Sequence, residues 1–326
     1  MAIEVATAAD LNNVRNNLSG DYIQTADIDL SGWGNWTPIS TFTGTYDGGR
    51  HKITGLTIYE ESRPAGRRIG LFGRLNGAYI KRVGLEDVNI TALDYIGALV
   101  GDLYGAKSTI EECYSTGSVT GEFIVGGLLG VNIDTTIPTP TGPIAGDVSI
   151  DVINCYSMCT VTGMGDVAGI MGFAYQGPDV SLFQNCYYGG TLAKYSGFIG
   201  EAGVVNTYTA ESGWDPSYEV NMVNCYYDSD KNGVLDDYQG SPRTTAEMTY
   251  PENFTTTFID WDFTNIWTHD PTYTINDGYP PFGAGFNIWV KKSGAWQPVT
   301  DIWVRKGGAW QPVSSVDVNK DGWKPI

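Results

Sequence analysis

The sequence predicts an all-β solenoid, in which short parallel strands coil into stacked turns, and three observations carry that prediction. The stretch Val125-Gly126-Gly127-Leu128-Leu129-Gly130 has counterparts at Ile69 to Gly73, Ile96 to Gly101, Val167 to Gly172 and Tyr195 to Gly200. A second landmark alternates with the first: Cys113, Cys155, Cys186 and Cys225 recur at one place in the repeat, and Val83 takes that place in the first copy. Between these landmarks Tyr, Thr, Val and Ile dominate and glycines bound the apolar runs, which is strand chemistry. A period of a few tens of residues marks units that cannot bury an apolar face alone and must stack on their neighbours.

The chain divides into four segments. Residues 1–19 form an N-terminal capping segment: Thr7 is placed as an N-cap, Asp10 stands three residues on, and Leu11, Val14 and Leu18 share a helical stripe, so residues 6–18 read as a short helix over the solenoid end. Residues 20–240 carry the repeats, opening with the alternating stretch Tyr22 to Leu30. Residues 241–285 read as a closing segment, with a helical turn at Thr244 to Met248, an aromatic stretch from Trp261 to Trp267, the turn Asn276-Asp277-Gly278, and a glycine hinge at 283–285.

Residues 286–326 change period. Asn287 to Val299 repeats as Asp301 to Val313, a third degenerate copy closes the chain, and each copy reads as strand, glycine turn, strand. Trp289, Trp296, Trp303, Trp310 and Trp323 keep register through the copies, and Lys291, Lys292, Arg305, Lys306, Lys320 and Lys324 make the segment basic within an acidic chain. So few residues make a weak core of their own, which suits a docking or oligomerisation module.

The run Tyr46-Asp47-Gly48-Gly49-Arg50-His51-Lys52-Ile53, the Gly-Leu-Phe-Gly at 70–73, the Gly-Gly-Leu-Leu-Gly at 126–130 and the Asn-Cys-Tyr triplets at 154, 185 and 224 resemble GLUG-motif proteins. That resemblance covers about residues 20–282 and implies a right-handed parallel β-helix. It implies an adhesin-like role on surface or secreted bacterial proteins, or a place among phage structural proteins. The terminal tryptophan hairpins resemble the ends of phage tail and fibre proteins. A β-helix hosts many activities, so the resemblance speaks to fold more than to function.

Composition excludes some partners. Thirty-seven acidic against nineteen basic residues give a formal charge of -18, which disfavours a nucleic-acid backbone or an anionic membrane surface. No apolar run approaches the roughly twenty residues that span a bilayer. Met1-Ala2-Ile3-Glu4 lacks the basic and apolar start of a secretory leader, so a protein made in the host cytoplasm and carried on a virion is expected. Interchange of Cys with Val predicts a ladder of reduced thiols rather than disulfides or a metal site; Cys159 alone stands off the ladder.

Repeat spacing predicts where binding residues lie. Val83 to Gly101, Cys113 to Gly130 and Cys155 to Gly172 are nearly equal steps, whereas Gly130 to Cys155 and Gly200 to Cys225 are much longer than Gly73 to Val83. Insertions entering at one point of a solenoid emerge along one edge. The first long insertion carries Pro138, Pro140 and Pro143; the second carries Tyr208, Trp214 and Tyr218, aromatics suited to stacking on sugar rings or a protein partner. These three are the predicted ligand-binding residues, with a host cell-surface polysaccharide or receptor as ligand.

Catalytic candidates are sparse. Asp27 and Asp29 share a strand face, as a carboxylate pair would, but read better as solvated acids; His51 has no Ser or Cys nucleophile pattern beside it. Glu211, Asp215 and Glu219 on the second insertion are the remaining acids a depolymerase could use. Asp228, Asp230, Asn232 and Asp236 imitate the front of a calcium loop with Gly233 at its sixth place, although Gln239 stands where the bidentate Glu belongs. No other cofactor is implied, and no catalytic residue is assigned. The sequence therefore predicts a non-enzymatic virion fibre, spike or adhesin whose tail docks onto other virion proteins, with homotrimerisation by analogy to phage fibres. A tailspike-like polysaccharide depolymerase and a bacterial surface adhesin are the alternatives.

Overall fold

The computed structural model describes residues 2–62, 68–132, 149–174, 181–194, 201–205, 220–233, 240–283 and, as backbone, 288–292, 295–299, 303–306 and 309–312. Among these residues the fold is a β-helix-like stack of parallel sheets. Contacts divide the chain into two compact units, residues 1–259 and 260–326.

In the first unit one turn serves as the pattern for all. Tyr79–Lys81 lies in a first sheet, Gly84–Thr91 in a second, Ile96–Gly97 in a third and Val100–Leu103 in a fourth. The next turn repeats the path at Ser108–Glu111, Tyr114–Thr120, Val125–Gly126 and Leu129–Asn132, each strand paired parallel and in register with its predecessor. Parallel strands buried on their inner face read as apolar runs, and Ile80, Ile110, Val152 and Phe183 stack as one fully buried row of the first sheet.

The corner between the first two sheets explains the cysteine landmark. Arg82, Glu112, Asn154, Asn185 and Asn224, at φ of 50° to 54°, each turn the chain through the left-handed region one residue before Val83 or a ladder cysteine. Asn tolerates that region better than most residues, which accounts for the Asn of Asn-Cys-Tyr. The asparagines also bond along the stack, Asn185 Nδ2 donating to Asn154 Oδ1 at 3.2 Å and Asn224 Nδ2 to Asn185 Oδ1 at 3.3 Å. After the corner, the rings of Tyr114, Tyr156 and Tyr187 stack at 4.9 Å per step, the spacing of adjacent strands. Gly84 begins that column because a Cβ there would lie 2.3 Å from the Tyr114 ring.

All five cysteines are free and buried. Each ladder thiol faces backbone carbonyls of its own and the preceding turn: Cys155 Sγ lies 3.3 Å from Ile153 O and 3.7 Å from Ile110 O, and Cys225 Sγ 3.3 Å from Phe183 O. Burial pushes the Cys155 and Cys225 thiols well up, and that of Cys159 up to about 11. A buried, protonated thiol is a poor nucleophile. Iodoacetamide at pH 8 is therefore expected to leave the folded protein unlabelled and to modify all five cysteines after denaturation. Rapid native labelling of Cys155, read by mass spectrometry, would contradict the ladder.

Glycine at the centre of the first landmark answers a different need. A Cβ at Gly127 would meet Ser157 Oγ at 2.3 Å, and one at Gly169 or Gly203 would lie 2.1 Å from the ring of Tyr188 or Tyr227. The same column corrects the expectation for the last repeat. Glu201-Ala202 pairs with Val167-Ala168, and Val205 bridges Met171, so residues 201–205 form that turn rather than 195–200. Gly203 leaves room for the ring of Tyr227, and Val204 and Val205 are fully buried; the glycine spacing of 195–200 mimics the motif in the sequence.

The N-terminal segment is a strand followed by a helix. Ile3–Val5 pairs with Asp21–Gln24 at the edge of the first sheet, and α1 (Ala8–Asn13) follows, continued by a 3₁₀ turn at Val14–Asn16. Thr7 and Asp10 form a reciprocal capping box, and Leu11 and Val14 are fully buried in the core. At the other end of the first unit Ser241–Arg243 adds a last strand to the second sheet, beside Tyr226–Asp228. The short helices α2 (Ser229–Asn232), α3 (Thr245–Met248) and α4 (Asn253–Thr256) complete the unit, α3 with a capping box of Thr244 and Glu247.

The second unit has its own contacts. The rings of Trp261 and Trp267 lie 4.6 Å apart, and those of Trp267 and Phe282 lie 4.7 Å apart. Asp270 organises a turn by accepting from the backbone N–H groups of Thr274, Ile275, Asn276 and Gly278 at 2.8 to 3.1 Å. Burial works against that carboxylate, but the four donors outweigh it and hold its pKa below the usual range. Further on, Ile288–Lys292 pairs antiparallel with Ala295–Val299, and Trp303–Lys306 with Ala309–Pro312. Trp289 is the register partner of Pro298 and Trp303 that of Pro312, the same register in both hairpins.

Candidate functional site

The fourth and first sheets meet at the corner where the insertions enter. The connections from Leu75 to Tyr79 and from Leu103 to Ser108 are short; those from Asn132 to Ile150, Ala174 to Leu182 and Val205 to Asn221 are longer. Leu75, Leu103, Asn132 and Ala174 are in register in the fourth sheet. On the far side Thr109, Asp151, Leu182 and Asn221 are in register in the first sheet. The connections after Asn132 and Ala174 therefore leave and rejoin the solenoid at stacked points on one edge, and the one after Val205 rejoins there at Asn221. The predicted ligand residues Tyr208, Trp214 and Tyr218, the acids Glu211, Asp215 and Glu219, and the three prolines all lie outside the described residues.

Of the calcium-loop residues, Asp228, Asp230 and Asn232 are described and Asp236 is not. Asp228 is fully buried and caps α2: its Oδ1 accepts from Asp230 N and Lys231 N, and its Oδ2 from Thr245 Oγ1 at 2.7 Å. Asp230 Oδ2 accepts from Thr245 N at 2.9 Å. Asn232 reaches across to the neighbouring turn, its Oδ1 accepting from Leu192 N and its Nδ2 donating to Gly190 O. These oxygens tie α2 to α3 and to the strand Thr191–Lys194. No group of three or more His, Cys, Asp or Glu suited to a metal occurs among the described residues.

The possible acid–base residues are also dispersed. His51 Nδ1 lies 3.1 Å from Asp27 Oδ1, which also accepts from Lys52 N at 3.1 Å. No Ser, Thr or Cys stands on the other imidazole nitrogen among the described residues, so the nucleophile of a triad is missing. Asp29 accepts from Ser31 N in a turn, which lowers its pKa, and makes no pair with Asp27. Several charges form structural pairs: Arg82 holds Asp47 and Lys52 holds Glu86 at 2.8 Å, each joining neighbouring turns, and Arg50 reaches past one turn to hold Glu112.

Sequence reasoning missed one cluster. Asp102, fully buried, receives Arg68 Nε and Arg74 Nε, both at 2.8 Å, on its Oδ2. The two guanidinium groups lie over the rings of Tyr95, at 4.2 Å, and Tyr104, at 4.9 Å. Burial pushes the Asp102 carboxyl up despite both arginines, and its Oδ1 has no hydrogen-bond partner. Its signal was present in the glycine landmark, where Gly73 and Gly101 are each followed at once by a charged residue, Arg74 and Asp102, while Gly130 is followed by Val131.

No family model matches the chain. Over 146 residues it is 33% identical to halomucin of Haloquadratum walsbyi, which covers 39% of this chain and 2% of halomucin. Over 123 residues it is 35% identical to a protein of Evansella cellulosilytica described as a candidate Gly-rich membrane protein, covering 32% of this chain and 14% of that protein. The chain thus spans a small fraction of the length of these curated relatives. The crystal structure of a candidate immunoglobulin A1 protease from Bacteroides ovatus superposes with a TM-score of 0.61 at 18% identity, over 86% of this chain and 92% of that one. At that identity the likeness is one of fold.

Proposed function

We propose that this protein is a non-catalytic repeat scaffold of the GLUG kind, a right-handed β-helix that presents insertions from one edge to a surface glycan or receptor. The stacked anchor points of the insertions carry this reading. Variable chain that enters a solenoid repeatedly at one corner concentrates specificity along that edge. Tyr208, Trp214 and Tyr218 are the proposed contact residues. The segment bearing Trp289, Trp296, Trp303, Trp310 and Trp323 is the proposed attachment or trimerisation module, and α1 the proposed cap of the N-terminal end.

The proposed setting is a virion, with the terminal hairpins docked on another virion subunit. A cell-surface setting is the second reading, favoured by the names of the two relatives, a halomucin and a Gly-rich membrane protein. The scattered acid and histidine side chains support a binding role over hydrolysis, including the proteolysis named for the solved structure.

One assay tests the reading. The purified protein is incubated with a panel of bacterial and archaeal cells, surface polysaccharides and immunoglobulin A1, scoring retention, new reducing ends and cleaved heavy chain together. Retention without cleavage is expected, and exchange of residues 206–219 for a short glycine-serine link should abolish it while leaving the circular dichroism unchanged. New reducing ends or cleaved heavy chain would overturn the non-catalytic reading, and unchanged retention would overturn the role of that insertion.

A further inference from the structure

A cavity of about 240 Å³ opens on the early turns of the solenoid, lined among others by Thr37, Pro38, Ser40, Thr41, Arg68 and Arg74. Thr41 and Arg74 are neighbours in register in the fourth sheet, and Asp102 is next in the same row. The charge here runs against that of the whole chain: two guanidiniums share a single carboxylate, Asp102, in a protein of formal charge -18. Arg15 adjoins, its Nη2 donating to Thr37 O at 2.9 Å.

Arg68 is committed to Asp102, but other polar groups on the wall are not. Arg74 uses Nε and Nη2 on Asp102, and its Nη1 makes no hydrogen bond among the described residues. The hydroxyls of Thr37, Ser40 and Thr41 make none either. Arg15 is not among the lining residues, so the wall itself has Arg68 and Arg74 against Asp102, an excess of one positive charge, which suits a monoanion better than a phosphate or other dianion. Hydroxyl groups that both donate and accept suit a ligand rich in hydroxyls, and Pro38 offers an apolar patch for a sugar ring. The volume falls below the 300 to 1,000 Å³ usual for drug-sized ligands, room for about one ring.

We propose that this cavity is a subsite for the carboxylate of a uronic acid residue, with Arg74 Nη1 as the charged donor and Ser40 and Thr41 as hydroxyl partners. Its residues are none of those proposed as contacts on the insertions, so the proposal and the reading of those insertions stand or fall independently.

Isothermal titration with trigalacturonate, maltotriose and sodium sulfate tests it on the full chain. Trigalacturonate is expected to bind, with affinity falling as salt rises, and maltotriose and sulfate to bind at least about 10-fold more weakly, the value of one charge-assisted hydrogen bond. Arg74→Gln should weaken trigalacturonate by about 10-fold or more. Because that variant also touches the buried ion cluster, Thr41→Trp serves as the second: it fills the cavity, leaves Arg68, Arg74 and Asp102 in place, and should remove binding without lowering Tm. No binding of trigalacturonate at millimolar concentration, equal binding of maltotriose or sulfate, or unchanged binding by Thr41→Trp would each overturn the proposal.

Discussion

Asp102→Ala is expected to lower the stability of the first unit by about 3–5 kcal/mol, the cost of stranding a buried charge by removing its partner. The side chain of Arg68 is only 8% exposed and that of Arg74 22%, so neither can recover in water what it gives up to Asp102 Oδ2. The loss should be read as a lower denaturant midpoint at unchanged slope. Asp102→Asn keeps an oxygen acceptor and most of the volume, and should fall between wild type and Ala. A combined variant, Arg68→Met with Arg74→Met and Asp102→Leu, should regain much of the loss, because a buried ion cluster replaced entirely by apolar groups leaves no charge unpaired. An Asp102→Ala protein with the wild-type midpoint would mean that the cluster contributes nothing to the fold.

How much of this architecture could be read beforehand depends on which residues signalled by identity and which by placement. The cysteine ladder was legible because Val83 shares its column: only an apolar, buried position accepts both Val and Cys. The cap at Thr7 was legible because its partner, Asp10, is three residues away, and the turn at Thr244 to Met248 was legible as helical. Periodicity likewise gave the parallel stack and the common point at which the insertions enter.

Long-range placement was not legible. The last turn was misplaced because 195–200 reproduces the glycine spacing, whereas the true turn at 201–205 is selected by Gly203 lying over Tyr227, a contact across many residues of chain. The calcium-like run is ambiguous for a related reason. A carboxylate followed by polar residues and Gly also describes a capped helical turn, and Asp228 caps α2. The charges after Gly73 and Gly101 were visible, but the meeting of Arg68, Arg74 and Asp102 was not, because they belong to two successive turns and only the register brings them together.

Gly130→Ala is expected to cost about 1–3 kcal/mol, the range for overpacking a filled interior, although it adds a single methyl group. Gly73, Gly101, Gly130 and Gly172 sit in one column of the fourth sheet, between rows that are in register on either side. A Cβ on Gly130 would lie 2.2 Å from Gly101 O, and one on Gly101 would lie 2.4 Å from Ile69 N. Those neighbours are backbone held by the hydrogen bonds of the preceding turn, so they cannot swing aside as a side chain would. Gly32→Ala is the control, since nothing lies within 4 Å of its added methyl, and should stay within about 0.5 kcal/mol of wild type. Because each turn of a solenoid touches only its neighbours, the strain at Gly130 also weakens the coupling between the turns before and after it. Hydrogen exchange should then show the turns after Gly130 losing protection at lower denaturant than the turns before it, where wild type loses both together. Equal midpoints for Gly130→Ala and Gly32→Ala would show that the column tolerates a side chain and that its glycines answer some other need.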